Sequence, residues 1–83
     1  MDQVEAVIYA QKTVAELNAE RERKGVSVEQ LAVMTGMRER KAHRLLEGER
    51  DITMHDLRRL CTALDADFAD ILARAEKVYQ DSL

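Results

Sequence analysis

Apolar residues recur at helical spacing along nearly the whole chain. Val4, Val7, Ile8, Val14 and Leu17 return at intervals of three, four and six to seven residues, and no glycine or proline precedes Gly25, so one long first helix is predicted. Lys24-Gly25 ends it with a cation for the helix C-terminus and then a residue suited to the left-handed cap. Ser27 with Gln30 three places on spells a capping box, opening a second helix of about eight residues through Thr35. Gly36 interrupts, a third helix is expected from about Arg38 to Glu47 with Ala42, Leu45 and Leu46 inward, and Gly48 closes it. After the polar loop Glu49-Arg50-Asp51, Thr53 and Asp56 mark an N-cap before Leu57, Leu60, Cys61 and Leu64, which share one helical face. Asp65-Ala66-Asp67 breaks the pattern. Asp67 and Asp70 then cap a fifth helix in which Phe68, Ile71, Leu72, Ala75, Val78 and Tyr79 continue the apolar stripe.

Composition narrows this to an all-α fold of five helices in a single domain over 1–83. The subdivisions are an N-terminal helical extension at 1–12, a two-helix unit at 27–47 and C-terminal helices at 53–80. Eighty-three residues with 46% hydrophobic and 35% charged positions are too apolar for disorder. Three glycines and no proline are too few turn formers for a many-stranded fold. The lone Cys61 excludes a disulfide framework within the chain and a multi-cysteine zinc site, and points to a reducing compartment. No apolar run is long enough to span a bilayer and no secretory signal opens the chain, so a soluble, cytoplasmic, nucleoid-associated protein is expected. The net charge of −3 gives no global attraction to nucleic acid. Only the stretch from Ser27 to Arg50 is net positive.

In that stretch two short helices meet across Thr35-Gly36-Met37, where a positive-φ glycine permits a sharp turn. The small Ala32 beside Leu31 allows close approach of the second helix through Ala42 and Leu45. The outer face of that second helix carries Arg38, Glu39, Arg40, Lys41, His43 and Arg44, the densest basic run in the chain and the candidate base-reading surface. Arginine can donate twice to O6 and N7 of guanine and glutamate can accept from N4 of cytosine, while Arg40 and Arg44 are an i, i+4 pair, so a G·C-containing duplex site is favoured. Ser27 and Gln30 at a helix N-terminus, and Arg50 in the loop beyond, suit phosphate.

The segment SVEQLAVMTGMRERKAHRLLEGER, Ser27 to Arg50, resembles the helix-turn-helix of lambda-repressor-like, Xre/Cro regulators. The likeness extends over roughly residues 13 to 75, with Gly25, Leu31-Ala32, Gly36, Gly48, Arg50 and the downstream LRRLCTALDAD as landmarks. It implies a DNA-binding regulator, such as a small bacterial or phage repressor, whose second motif helix enters the major groove and places Glu39, Arg40 and Arg44 against base edges. It also exposes departures. Val28 stands where the family usually has a phosphate-binding glutamine, Leu46 where an acid usually pairs with the equivalent of Arg21, and Glu47 and Glu49 flank the backbone contact. These imply modest, strongly salt-dependent binding. They also favour a second reading, a protein-interaction module such as an antitoxin or antirepressor-like component that binds a protein partner through acidic fourth and fifth helices.

The remaining chemistry-bearing residues read as structural. His43 and His55 are expected exposed with no metal, Cys61 buried, Met34, Met37 and Met54 core fillers at helix junctions, and Asp65, Asp67 and Asp70 caps. No cofactor, catalytic group or enzyme activity is indicated. Val4, Val7, Ile8 and Tyr9 are too apolar for a free tail. They either pack on the last helix near Val78 and Tyr79 or form a homodimer contact.

Overall fold

The computed structural model describes residues 2–83. Five helices follow one another: α1 (Gln3–Arg23), α2 (Val28–Thr35), α3 (Glu39–Leu46), α4 (Met54–Ala63) and α5 (Phe68–Asp81). No strand occurs among the described residues. Four of the five begin at a side-chain cap: Asp2, Ser27, Thr53 and Asp67 each accept from the backbone N–H three residues on. At α2 the cap is reciprocal, since Gln30 Oε1 also accepts from the Ser27 N–H at 2.8 Å. α3 opens at Arg38 with no side-chain cap, so it is one residue shorter at each end than its sequence pattern predicts.

The C-termini share one device. After α1, Val26 N–H reaches Arg21 O and Gly25 N–H reaches Glu22 O; equivalent paired bonds close α2, α3 and α4. These Schellman-type turns need a left-handed residue. Glycine supplies it three times, and Asp65, at φ 52°, supplies it after α4.

Each helix contributes one large aliphatic side chain with no exposed surface: Leu17, Leu31, Leu45, Leu60 and Ile71. Cys61, Leu57, Leu64, Leu46 and Met37 surround them. α1 lies along α5, α2 on α3 and α4, and the inner end of α1 also meets α3. Helix ends are tied to neighbours by long-range side-chain bonds. Asn18 Nδ2 donates to Leu46 O at 2.7 Å, Lys24 Nζ to the carbonyls of Leu64 and Asp65, and Arg59 to Thr35 O.

Some inward assignments require correction. Met37 is buried, but Met34 and Met54 are 53% and 62% exposed because they fall on the outward faces of α2 and α4. Val78 is likewise exposed, while Tyr79 one position on turns into the α1–α5 seam.

Candidate nucleic-acid interface

α3 is anchored by Ala42, Leu45 and Leu46, all buried, and this leaves its opposite side to solvent. Five cations converge there. Arg38, Arg40, Lys41 and Arg44 of α3 and its N-cap, with Arg50 from the following loop, line one shallow depression with no acidic residue in its wall. Arg38, Arg40, Arg44 and Arg50 are exposed. Lys41 is held back, its Nζ 3.3 Å from Oδ1 of the buried Asp56. Arg59 approaches the same carboxylate at 3.7 Å, so one buried acid ties α3 to α4.

The phosphate candidates sit where a helix N-terminus opens outward. Ser27 Oγ accepts from Gln30 N–H at 3.0 Å, and the first N–H groups of α2 follow immediately, that of Glu29 facing its own carboxylate. An anion there meets those donors and the positive end of the helix. Val28 packs partly buried against the core and takes no part in a polar surface.

Glu39 and His43 leave the basic depression for the other flank of α3. His43 Nε2 is 3.1 Å from Glu29 Oε1 on α2 and 3.8 Å from Glu39 Oε1, and Nδ1 is 3.6 Å from Glu47 Oε1. The Glu29 carboxyl is held below the ordinary carboxylate range by its own backbone N–H and by the His43 ring, against a smaller opposing effect of burial. His43, expected exposed, is instead half-covered by three carboxylates. Glu39 and Glu47 lie one helical turn either side of it, and that i, i+4 signal was visible; Glu29 could be found only by packing α2 on α3.

Arg21, whose family acid is replaced by Leu46, is not left unsatisfied. It donates to Val26 O at 2.9 Å and to Asn18 Oδ1 at 3.3 Å, and Asn18 in turn bonds the Leu46 carbonyl. Asn18 thus joins α1 to α3, and Arg21 also pairs within α1 with Glu22 Oε1 at 3.4 Å.

The N-terminal extension packs in part on the last helix. Tyr9 meets Tyr79 edge-on with ring centroids 6.2 Å apart, and its hydroxyl donates to Leu72 O at 3.1 Å. Tyr9 is therefore an intramolecular contact with α5. Ile8 is half-buried, whereas Val4 and Val7 are 68% and 51% exposed.

Comparison with known proteins agrees with this architecture. A helix-turn-helix domain family model matches residues 14–74. Two crystal structures of the clp gene regulator ClgR from Corynebacterium glutamicum superpose well. One has a TM-score of 0.80 and 26% identity, covering 89% of this chain and 79% of that one. The other has a TM-score of 0.77 and 27% identity, covering 84% and 91%. No curated protein matches the chain. No helix among the described residues is long and apolar enough to cross a membrane.

Proposed function

The chain belongs to the helix-turn-helix domain family, and from that premise we propose that it is a sequence-specific, DNA-binding transcriptional regulator that acts by occupying operator DNA, as a repressor where the operator overlaps a promoter. The observation that carries this reading is the five-cation depression on the outer face of α3. In a chain of net charge −3, a cationic surface without acids is a local feature that polyanion binding explains. Arg38, Arg40 and Arg44 read base edges from the start of α3, Ser27, Gln30 and Arg50 hold phosphates on either side, and Lys41 adds charge while bracing α4. Glu39 and His43 border the reading surface, where Glu39 can still accept from a cytosine amine at the groove edge. ClgR, a structural neighbour, is a gene regulator by its own description. The exposed Val4 and Val7 support a homodimer built on α1, which would present two reading helices to one duplex.

The test is selection from randomised duplex DNA followed by sequencing at two salt concentrations. Enrichment of a G·C-containing motif supports the assignment, and a palindromic motif supports the dimer. No enrichment even at low salt overturns it.

A second reading has one observation of its own. Val33 and Met34 on α2 and Met54 on α4 are exposed, a surface that a protein partner could cover. Selection without enrichment, together with passage through heparin at low salt, would favour that reading.

A further inference from the structure

An acidic flank of α3 lies beside the basic surface and is centred on His43. Among the described residues, Glu29, Glu39 and Glu47 have no Lys or Arg partner within 4.0 Å; each meets only His43. A protonated imidazole offsets one of these three negative charges. Nε2 also has a single valence for a proton or an acceptor, yet it faces two carboxylate oxygens, at 3.1 and 3.8 Å.

A metal ion satisfies what a proton there cannot. Zinc bonded to nitrogen and oxygen at about 2.0 to 2.2 Å in a tetrahedron places donors roughly 3.4 Å apart, and the two observed separations bracket that value. One donor atom from each of Glu29, Glu39 and His43 can be chosen so that all lie within 4.8 Å of one another. Glu39 and His43 are i, i+4 on α3 and form a chelating pair, and Glu29 arrives from α2 as a third ligand. Glu47, 3.6 Å from Nδ1, is placed to orient the ring from behind, as carboxylates do behind metal-bound histidines. One imidazole with carboxylates suits zinc and its first-row neighbours better than calcium or magnesium, which take all-oxygen shells.

We propose that Glu29, Glu39 and His43 bind a divalent transition metal of the zinc class, with water completing the shell. The ion clamps α2 to α3 and offsets two of the three negative charges that flank the basic depression, so it strengthens binding to DNA. This second effect rests on the function proposed above; the site itself does not.

Zinc chloride titrated into the full chain by calorimetry, in a buffer that does not chelate, should show one saturable equivalent. His43→Ala should abolish it, Glu47→Gln should weaken it about tenfold, and His55→Ala should leave it unchanged, with circular dichroism showing all three variants folded. Absence of saturable binding, or a heat unaltered by His43→Ala, overturns the site. Zinc should also tighten binding to a random-sequence duplex by roughly 3- to 10-fold at 0.1 M salt in the wild type and not in His43→Ala. Saturable zinc binding with unchanged duplex affinity would keep the site and remove its link to DNA. One zinc equivalent in a protein that binds no duplex would keep the site and overturn the DNA-binding reading.

Discussion

Arg40 and Arg44 stand one turn apart on the exposed side of α3 and are free of the intramolecular pairing that restrains Lys41. Removing either guanidinium should therefore cost binding without cost to the fold. Arg40→Ala and Arg44→Ala are each expected to lose about 1 to 3 kcal/mol of affinity for the selected duplex and to relax preference at one base position, read by titration and repeat selection. Arg50→Ala should instead weaken all sequences alike and lower the salt slope by about 1. Glu20 gives a residue-level prediction about stability. Burial alone would push its carboxyl up, but bonds from Arg74 and Lys24 and the charges of Arg23 and Lys24 outweigh this and hold it below the ordinary carboxylate range. A carboxyl lowered on folding contributes stability that is present above its unfolded value and is lost as pH falls through the folded one. Urea midpoints should accordingly drop as the solution is acidified below about pH 4.5, and Glu20→Gln should flatten that acid limb. An acid limb of equal steepness in the variant would exclude Glu20 as its source. At Cys61 burial pushes the thiol up, which fits its place in the core and not a nucleophilic role.

Each short helix owes its boundaries to the chain itself, and the joint between α2 and α3 depends on one of them. Gly36 adopts φ 74°, and a methyl group built there would meet only the Arg59 guanidinium, at an ordinary 3.7 Å. The penalty of Gly36→Ala is thus conformational, about 1 to 2 kcal/mol from thermal denaturation, with no added cost from a clash. A loss several times larger would show that the turn is packed more tightly than this spacing implies. Because caps are local, most elements were legible in the sequence. Ser27 with Gln30, Thr53 with Asp56 and Asp67 with Asp70 each form the predicted bond. What escaped notice was what one helix does to another. Glu20 and Asp56 look like surface acids by type, and both are buried because cations from neighbouring helices reach them: Arg74 at 3.1 Å and Lys41 at 3.3 Å. The methionines failed for a related reason. Position at a junction does not say which side of the helix faces the core, and one residue separates buried Tyr79 from exposed Val78 in the same way. At the candidate site, the basic run on α3 was readable as a run, but its division into a basic depression and an acidic flank depends on α2 and α4.

For the whole molecule, the long first helix sets the shape. The chain extends 36 Å along its principal axis and only 22 and 18 Å across, and 21 residues of α1 at about 1.5 Å each account for most of that length. The inner part of α1 belongs to the core through Val14 and Leu17, and Tyr9 carries the packing outward along α5. Beyond Tyr9 the contacts thin, leaving Val7 and Val4 open on the same helix. This separation allows the proposed dimer to be tested without damaging the fold, which removing the first eleven residues would do by deleting Tyr9. The variant Val4→Asp places a charge where the side chain already meets water, so its circular-dichroism spectrum should be unchanged, whereas Val7 shares a hollow with Arg50 and is left in place. If α1 pairs two copies, sedimentation should show the wild type at twice the monomer mass and the variant at the monomer mass. Duplexes with two half-sites about 34 Å apart should then lose cooperative binding, while a single half-site is bound as before. The reason is geometric: Val4 lies near the start of α1 among Gln3, Ile8 and Gln11, and the basic depression is formed by α3 and the loop after it, so changing Val4 leaves that depression complete. A wild type that sediments as a monomer at all accessible concentrations would assign Val4 and Val7 no role in self-association and leave each reading helix to bind its site alone.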